Sequence, residues 1–386
     1  MRILLASHYA LPHLGGIEVI VDAMARELSR RGHDVVHVAS GARNAGPMIA
    51  DPTEYRLLRL PAFNGLERRF DVPWPVFGPA LAAAVRREVP RMDVVHAHGF
   101  LYMPTLAAFL MPRRGRGRPA RVLTEHVHHV EYASRALDAA QALAIGTLGR
   151  FTARAADQLT SVNPKVVAEL RALAPRVPVD LIPNGVDVDR YRPLGAVEKA
   201  ALRARLGWDE RPRVLFVGRL VAKKGVEVAL QAAVEARGAF RLVVVGPGEL
   251  DEPAPEEADV LGPLAPERVR ELYQAADAFL LPSRGEGFPV TVQEAMASGL
   301  PVVLCDDPAY APNLAGAGDG VRQVEPDGAA AAATLAGWLE DPERRARAGA
   351  SAAAHARRRF SWSAQIVEHE ELYERLLGPG GARPVR

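Results

Sequence analysis

Arg2-Ile-Leu-Leu-Ala-Ser7 is a short apolar run, followed by the loop His8-Tyr-Ala-Leu-Pro-His-Leu-Gly-Gly16. An amphipathic stretch from about Ile17 to Arg31 comes next, Gly32 stops it, and Asp34-Val-Val-His-Val-Ala39 is a second apolar run. Buried strand, loop, helix and buried strand make a β-loop-α-β unit, and strands that are apolar throughout belong to parallel sheets covered on both faces. Paired glycines stand where the helix begins. They are not a dinucleotide fingerprint, because no glycine precedes Gly15 and Gly16 at the required spacing. Gly246-Pro-Gly248 is also incomplete, with Asp251 where a third glycine should stand. These departures argue against a nicotinamide-cofactor enzyme.

The same alternation continues outward. Short strands are predicted at Asp93 to His98, Arg121 to Glu125, Gln158 to Val162 and Asp180 to Ile182, with a long helix from Tyr132 to Ala156 and a less regular, proline-punctuated region from Gly41 to Pro90. Pro183-Asn-Gly-Val-Asp-Val-Asp-Arg-Tyr-Arg-Pro193 carries several chain breakers and reads as a linker. Beyond it, strands are predicted at 213–217, 241–245, 259–261, 278–281 and 301–304, with helices between them. The expectation is an α/β protein of two doubly wound parallel-sheet domains, residues 1–190 and 191–361, with a terminal helix at 362–378. Ligands of such sheets bind beyond the carboxyl ends of the strands, so two such edges facing each other would form an interdomain cleft.

Composition narrows the function classes. The chain has 386 residues, 48% of them hydrophobic, enough for sizeable cores. Its single cysteine, Cys305, precludes an intrachain disulfide and points to a cytoplasmic setting. No apolar run is long enough to span a bilayer, and no signal peptide is apparent. A net charge of +2 is too mild to imply nucleic acid. The arginine-rich loop Arg113 to Arg121 reads as a solvated connector, or as a contact for phosphate or an anionic membrane surface.

Arg284-Gly-Glu-Gly-Phe-Pro-Val-Thr-Val-Gln-Glu-Ala-Met-Ala-Ser-Gly299 is the richest stretch for chemistry. It places Glu286 on a glycine-flanked loop and Glu294 inside a helix. Thr291 and Glu294 have capping-box spacing, which predicts a helix opening near Thr291, and Gly299 with Pro301 ends it. Two carboxylates suit sugar hydroxyls, and free N–H groups at a helix start suit a phosphate. Arg219 and Lys224 follow a predicted strand and precede a helix, where they can clamp a diphosphate or stand as solvated loop charges.

Taken together, the motifs resemble a family 4 glycosyltransferase of the fold called GT-B. The matching pieces are Pro12…Gly15-Gly16, Val94-Val-His-Ala-His98, Thr124-Glu-His126, Ile182-Pro-Asn-Gly-Val-Asp187 and Val217-Gly-Arg-Leu…Lys-Lys-Gly225. They continue with Val245-Gly-Pro-Gly-Glu249, Glu286-x7-Glu294 with Ala295-Met-Ala-Ser-Gly-Leu-Pro-Val-Val303, and Phe360-Ser-Trp362 at the start of the last helix.

The resemblance implies a retaining, metal-independent transfer from a UDP- or GDP-sugar to a hydroxyl of a glycan, glycolipid or lipid-linked acceptor. The enzyme would be cytoplasmic or peripheral on the membrane, with no cofactor and no nucleic-acid partner. It assigns His126, Arg219, Lys224 and Glu286 to catalysis. It assigns Gly15, Gly16, Arg219, Lys224, Gly248, Glu286, Gly287, Phe288, Pro289, Val290, Thr291 and Glu294 to the donor, with Glu294 on the ribose. His126 alternatively reads as a buried, hydrogen-bonded histidine, Glu294 as a helix-capping partner, and Gly15-Gly16 as a tight turn. Pro289 departs from the family's commoner glycine and removes one N–H donor.

The same resemblance sends the last helix back to the first domain. Epimerisation or phosphorolysis on the same fold, and a silent nucleotide-sugar-binding partner, are the rival readings. Asp187-Val-Asp189 resembles an Asp-x-Asp metal motif, but it lies in the predicted linker and not at a strand end in a nucleotide site; the histidines His96, His98, His126, His128 and His129 could suggest zinc, but they lack ligand spacing on one helix and partner cysteines.

Overall fold

The opening apolar run is strand β1 (Arg2–Tyr9), and the helix Gly16–Arg30 follows it. Val21, Met24, Ala25 and Leu28, spaced three and four residues apart, are its buried face. In the computed structural model the described residues are 1–13, 16–41, 52–70, 72–112, 118–126, 135–250, 252–284 and 288–378. Gly15, Glu286, Gly287, His128 and His129 lie outside them, as do residues 113–117 of the basic loop.

Contacts divide the chain into two units, Met1–Asn184 with Gln365–Arg386, and Gly185–Ala364. The first unit continues with β2 (Asp34–Ser40), β3 (Arg56–Leu60), β4 (Ala62–Phe63), β5 (Val76–Phe77), β6 (Val94–His98), β7 (Ala120–Glu125), β8 (Gln158–Ser161) and β9 (Val179–Leu181). Seven of these form one sheet in the order β3-β2-β1-β6-β7-β8-β9, while β4 and β5 pair separately. Every ladder of the large sheet is parallel; Leu4 of β1, for example, stands opposite Val36 and Val95. Leu4, Val36, Val95 and Leu123 are fully buried in the core of this unit.

The second unit holds β10 (Arg213–Val217), β11 (Arg241–Val245), β12 (Ala258–Val260), β13 (Ala278–Leu281), β14 (Val302–Cys305) and β15 (Val321–Val324). They form a six-stranded sheet in the order β12-β11-β10-β13-β14-β15, again wholly parallel. Its core includes the fully buried rings of Phe216, Phe279 and Phe360 together with Trp338. Both sheets are doubly wound, as the alternation of elements predicts.

Several elements differ from the sequence reading. The stretch read as a linker is built into the second unit: Val186, Val188 and Tyr191 are buried there. The Val186 N–H donates to the Phe360 carbonyl at 2.7 Å, and a Cβ on Gly185 would fall 2.4 Å from the Trp362 ring. The long helix of the first unit is observed from Arg135 and is interrupted by a π-helical stretch, Ile145–Gly149, before Arg150–Ala155. Gly149 sits at the end of that stretch, where a Cβ would meet the Phe100 ring at 2.8 Å.

Arg121 does not extend the basic loop toward a membrane. It is 5% exposed, donates to the Met111 carbonyl at 2.5 Å, and lies over the Phe109 ring. The last helix, Trp362–Leu377, supplies Tyr373 to the first unit, where its hydroxyl bonds His96 Nδ1 at 2.7 Å. Glu370 of the same helix pairs with Arg31 and His33, and Arg375 with Asp180.

Candidate functional site

In the second unit the strand order reverses between β10 and β13. The connections leaving these neighbours run in opposite directions, which opens a crevice beyond their carboxyl ends. β10 delivers Gly218, Arg219 and Leu220, then the turn Ala222–Lys224 and the helix Val226–Glu235. β13 delivers Pro282, Ser283 and Arg284, and Phe288 lies further along the same connection.

The two loops touch. Arg284 N–H donates to the Lys223 carbonyl at 3.0 Å. Gly225, at φ 72, lies so close that a Cβ would be 2.4 Å from the Pro282 carbonyl oxygen. A third loop joins from β11: Gly218 N–H donates to Val245 O at 2.9 Å and Leu220 N–H to Pro247 O at 2.8 Å. Gly246, at φ 148, would place a Cβ 1.8 Å from Gly218 O, and Gly248, at φ 127, one 2.9 Å from Leu220. Gly246-Pro-Gly248 thus lets two strand-end loops meet, which accounts for the glycines without a dinucleotide.

Arg219 is exposed, and among the described residues its guanidinium has no hydrogen-bond or ion-pair partner. Lys224 is half-buried, its stem beside Gly218. Both sequence-predicted cations therefore stand at the reversal point.

The capping box expected at Thr291 and Glu294 is not formed. The helix is Val290–Ala297, with Pro289 at the N-cap, where the missing N–H costs no intrahelical bond. Val292 and Gln293 N–H groups bond the Pro289 carbonyl, and the Thr291 hydroxyl has no partner among the described residues. Phe288 is an anchor: 6% exposed, it stacks on Phe360 at 5.0 Å and meets Tyr310 edge-on.

Glu294 turns toward Tyr191 and Tyr273. Burial pushes its carboxyl up to about 7, while the Tyr191 and Tyr273 hydroxyls and the Arg190 charge pull it back. The Tyr273 hydroxyl acts on the carboxylate without a hydrogen bond of good geometry. Neither tyrosine is signalled by sequence, since both lie far from Glu294 along the chain.

In the first unit His126 follows β7 and His98 ends β6. His126 Nε2 bonds His98 Nδ1 at 2.9 Å, and His98 Nε2 and His126 Nδ1 are buried with no partner among the described residues. Desolvation lowers the His126 pKa to about 4 and holds His98 well below the ordinary value, so both rings are neutral at pH 7. Glu125 fastens the two loops, accepting from Phe100 N–H at 2.9 Å and His126 N–H at 3.1 Å.

Gly16 starts its helix exposed, and among the described residues a Cβ there would meet nothing within 4 Å, so their packing does not demand glycine. His96 bonds Tyr373 and Thr124, an internal role. Asp187 closes a local turn, accepting from Asp189 and Arg190 N–H groups.

Residues 14–190 match the family described as Glycosyltransferase Family 4, and residues 198–355 match Glycosyl transferases group 1. A D-inositol 3-phosphate glycosyltransferase of Xylanimonas cellulosilytica is 30% identical over 93% of this chain and 91% of its own length. The chain belongs to glycosyltransferase family 4. The enzyme of the same name from Nocardia farcinica is 30% identical over 94% of this chain and 85% of its own length.

Among solved structures, sucrose-phosphate synthase from Thermosynechococcus elongatus aligns with a TM-score of 0.73 at 21% identity, covering 97% of this chain and 98% of that one. Anabaena HepE, in complex with UDP and glucose, aligns with a TM-score of 0.70 at 18% identity, covering 96% and 99%. The fold of this glycosyltransferase is therefore GT-B. Among the described residues, no helix is long and apolar enough to cross a membrane.

Proposed function

We propose that this glycosyltransferase moves a sugar from a nucleoside-diphosphate sugar to a hydroxyl acceptor, with retention and without an essential metal. The observation that carries the reading is the meeting of the Arg219–Lys224 loop with the loop after β13 at the reversal point of the second sheet. Two cations beside the helix start at Val226 and near the helix start at Val290 suit a diphosphate, whose charge grows as it leaves. HepE was crystallised with UDP and with UDP-glucose, which favours a uridine donor.

In the proposed reaction the bond between the anomeric carbon and the phosphate oxygen breaks, and the diphosphate departs toward Arg219 and Lys224. The acceptor oxygen bonds the same face of that carbon, and its proton passes to the departing phosphate oxygen. Glu286 and Gly287 keep their assigned places on the donor sugar, Glu294 takes the ribose, and His126 presents a neutral ring to the sugar. Gly15 and Gly16 let the backbone come close to donor and acceptor. Phe288 acts by holding the loop, Val290 and Thr291 through the helix start, and Gly248 by seating the Arg219 loop. A glycan or lipid-linked hydroxyl compound remains the acceptor class, with inositol 3-phosphate in the panel because the relatives are named for it. Work at the cytoplasmic face of a membrane is part of the same proposal.

A thermal-shift panel of UDP, GDP and ADP, followed by mass spectrometry of their sugars with and without acceptors, tests the reading. Arg219→Ala and Lys224→Ala should each lower kcat/KM by roughly 100-fold or more while leaving the melting temperature nearly unchanged. Wild-type turnover in either variant would remove the clamp from the mechanism. Donor isomerisation without acceptor would identify an epimerase, and binding without turnover a silent partner.

A further inference from the structure

β10 and β13 are the central pair of the second sheet, and they begin at the edge away from the Arg219–Lys224 loop. The residues of β13, about 13 Å long at the usual rise, separate the two edges. Asp277 stands just before β13, and four cations from three elements gather around it. The helix Ala196–Arg205 supplies Lys199 and Arg203, β10 supplies Arg213, and the helix Pro342–Arg359 supplies Arg345. Lys199 Nζ donates to Asp277 Oδ1 at 3.1 Å and also to the Ala276 carbonyl. Arg203 Nη1 donates to Asp277 Oδ2 at 2.7 Å, and its Nη2 to the Asp209 and Arg211 carbonyls. The backbone N–H of Arg213 reaches Asp277 Oδ2 at 2.9 Å, while its guanidinium pairs with Asp209, also at 2.9 Å. Arg345 Nη2 stops 3.9 Å from Asp277 Oδ1, too far for a hydrogen bond.

The charges in this cluster do not balance. Four cations face the two carboxylates Asp277 and Asp209, so the group is net positive with every member counted. The excess lies on the accessible side: the Asp277 side chain is 7% exposed, whereas Lys199 and Arg345 keep 31% and 25%. Burial lowers the Lys199 pKa; Asp277 opposes the shift, and the charges of Arg345 and Arg203 add to it. Nor are the donors used up. Lys199 spends two of its three N–H groups, and the five of Arg345 make no hydrogen bond among the described residues. The Nε of Arg213, on a residue 4% exposed, also lacks a partner among them.

We infer that Lys199 and Arg345 form a binding site for a divalent oxyanion, either inorganic phosphate or the phosphate group of a small ester, on the amino edge of the second sheet. The oxyanion accepts from the free N–H of Lys199 and from the planar fork of Arg345, whose spacing matches two phosphate oxygens. It neutralises the excess charge and ties the start of the helix Pro342–Arg359 to the helix Ala196–Arg205. Asp277 and Arg203 are positioning residues, because Asp277 fixes the Lys199 ammonium and Arg203 fixes Asp277. The site lies across the sheet from the proposed donor crevice and does not depend on the transferase reading.

The test titrates the full chain with inorganic phosphate and, separately, with glucose 6-phosphate, at an ionic strength held constant with chloride. Calorimetry reads affinity, and scanning fluorimetry reads the melting temperature. Phosphate should bind saturably and raise the melting temperature by several degrees. Arg345→Gln should weaken that binding at least ten-fold and abolish the rise. In chloride alone the same variant should melt no lower than the wild type, because it loses a like charge and no hydrogen bond. Arg219→Ala, at the other edge, should keep the phosphate affinity. Tighter binding of glucose 6-phosphate than of phosphate would identify an ester as the ligand, and the reverse order the free ion; both uphold the site. Absence of saturable binding, wild-type affinity in Arg345→Gln, or loss of phosphate binding in Arg219→Ala alone would each overturn it. An Arg345→Gln variant destabilised equally in chloride and in phosphate would overturn it too, leaving Arg345 as a partner of Asp277 only.

Discussion

Burial pushes the Glu294 carboxyl from its ordinary 4.5 up to about 7, against the pull of the Tyr191 and Tyr273 hydroxyls. The folded protein holds a proton there that the unfolded chain releases. The stability linked to this group is therefore fully present below 4.5 and is lost as pH rises through 7. At roughly 1.4 kcal/mol per unit, the ionised form costs about 3–4 kcal/mol. Glu294→Gln should raise the melting temperature by several degrees at pH 8 and hardly change it at pH 5, as scanning fluorimetry at the two pH values will read.

A ribose hydroxyl donating to the carboxylate favours its charged form, so nucleotide affinity should rise from pH 6 to pH 8 in the wild type and lose that dependence in Glu294→Gln. A glutamate that improves stability when neutralised, yet weakens nucleotide binding, has a ligand to serve. The sequence made Glu294 visible through its spacing from Glu286. The same logic misassigned its partner, because a capping box is a local pattern and Tyr191 and Tyr273 arrive by tertiary packing.

At the scale of elements, most strands were legible because they are apolar throughout and bounded by breakers. The two missed strands of the large sheets, β3 and β15, are both edges. Arg56-Leu-Leu-Arg-Leu60 and Val321-Arg-Gln-Val324 mix polar residues into short runs, as a half-covered edge allows. The strand-end loops were legible only as glycine and lysine motifs; their mutual contacts were not.

Those contacts make Gly246 a demanding position, since a Cβ would meet Gly218 O at 1.8 Å while the backbone holds φ at 148. Gly262 has φ 66 but, among the described residues, nothing within 4 Å of a Cβ. Gly246→Ala should therefore cost about 2–4 kcal/mol and displace the Arg219 loop, abolishing nucleotide binding. Gly262→Ala should cost only about 1 kcal/mol, the left-handed penalty alone, and keep binding. Urea unfolding with nucleotide titration on both variants separates backbone crowding from conformational preference.

At the scale of the molecule, the ordered series of motifs carried the family and the fold, because most of the motifs mark strand ends and the series spans both sheets. The cluster around Asp277 was not legible. Lys199, Arg203, Arg213 and Arg345 come from three elements that only the fold assembles. The two cores share no residue: one is drawn from residues 4–174 and the other from 186–360. Unfolding should therefore depart from a single two-state transition.

Tyr373 is 0% exposed in the first unit, and its hydroxyl is the partner of the His96 Nδ1 atom. Tyr373→Phe leaves that buried nitrogen unpaired, at a cost of about 1–3 kcal/mol. Calorimetry should resolve two transitions, of which Tyr373→Phe lowers one by several degrees. UDP should raise the other, because its proposed ligands Arg219, Lys224 and Glu294 all belong to the second unit, and saturating ligand at 100 times Kd adds about 2.7 kcal/mol to the unit that binds it. One transition moved alike by substitution and nucleotide would show that the units unfold together, and would reassign the stabilisation to the whole chain.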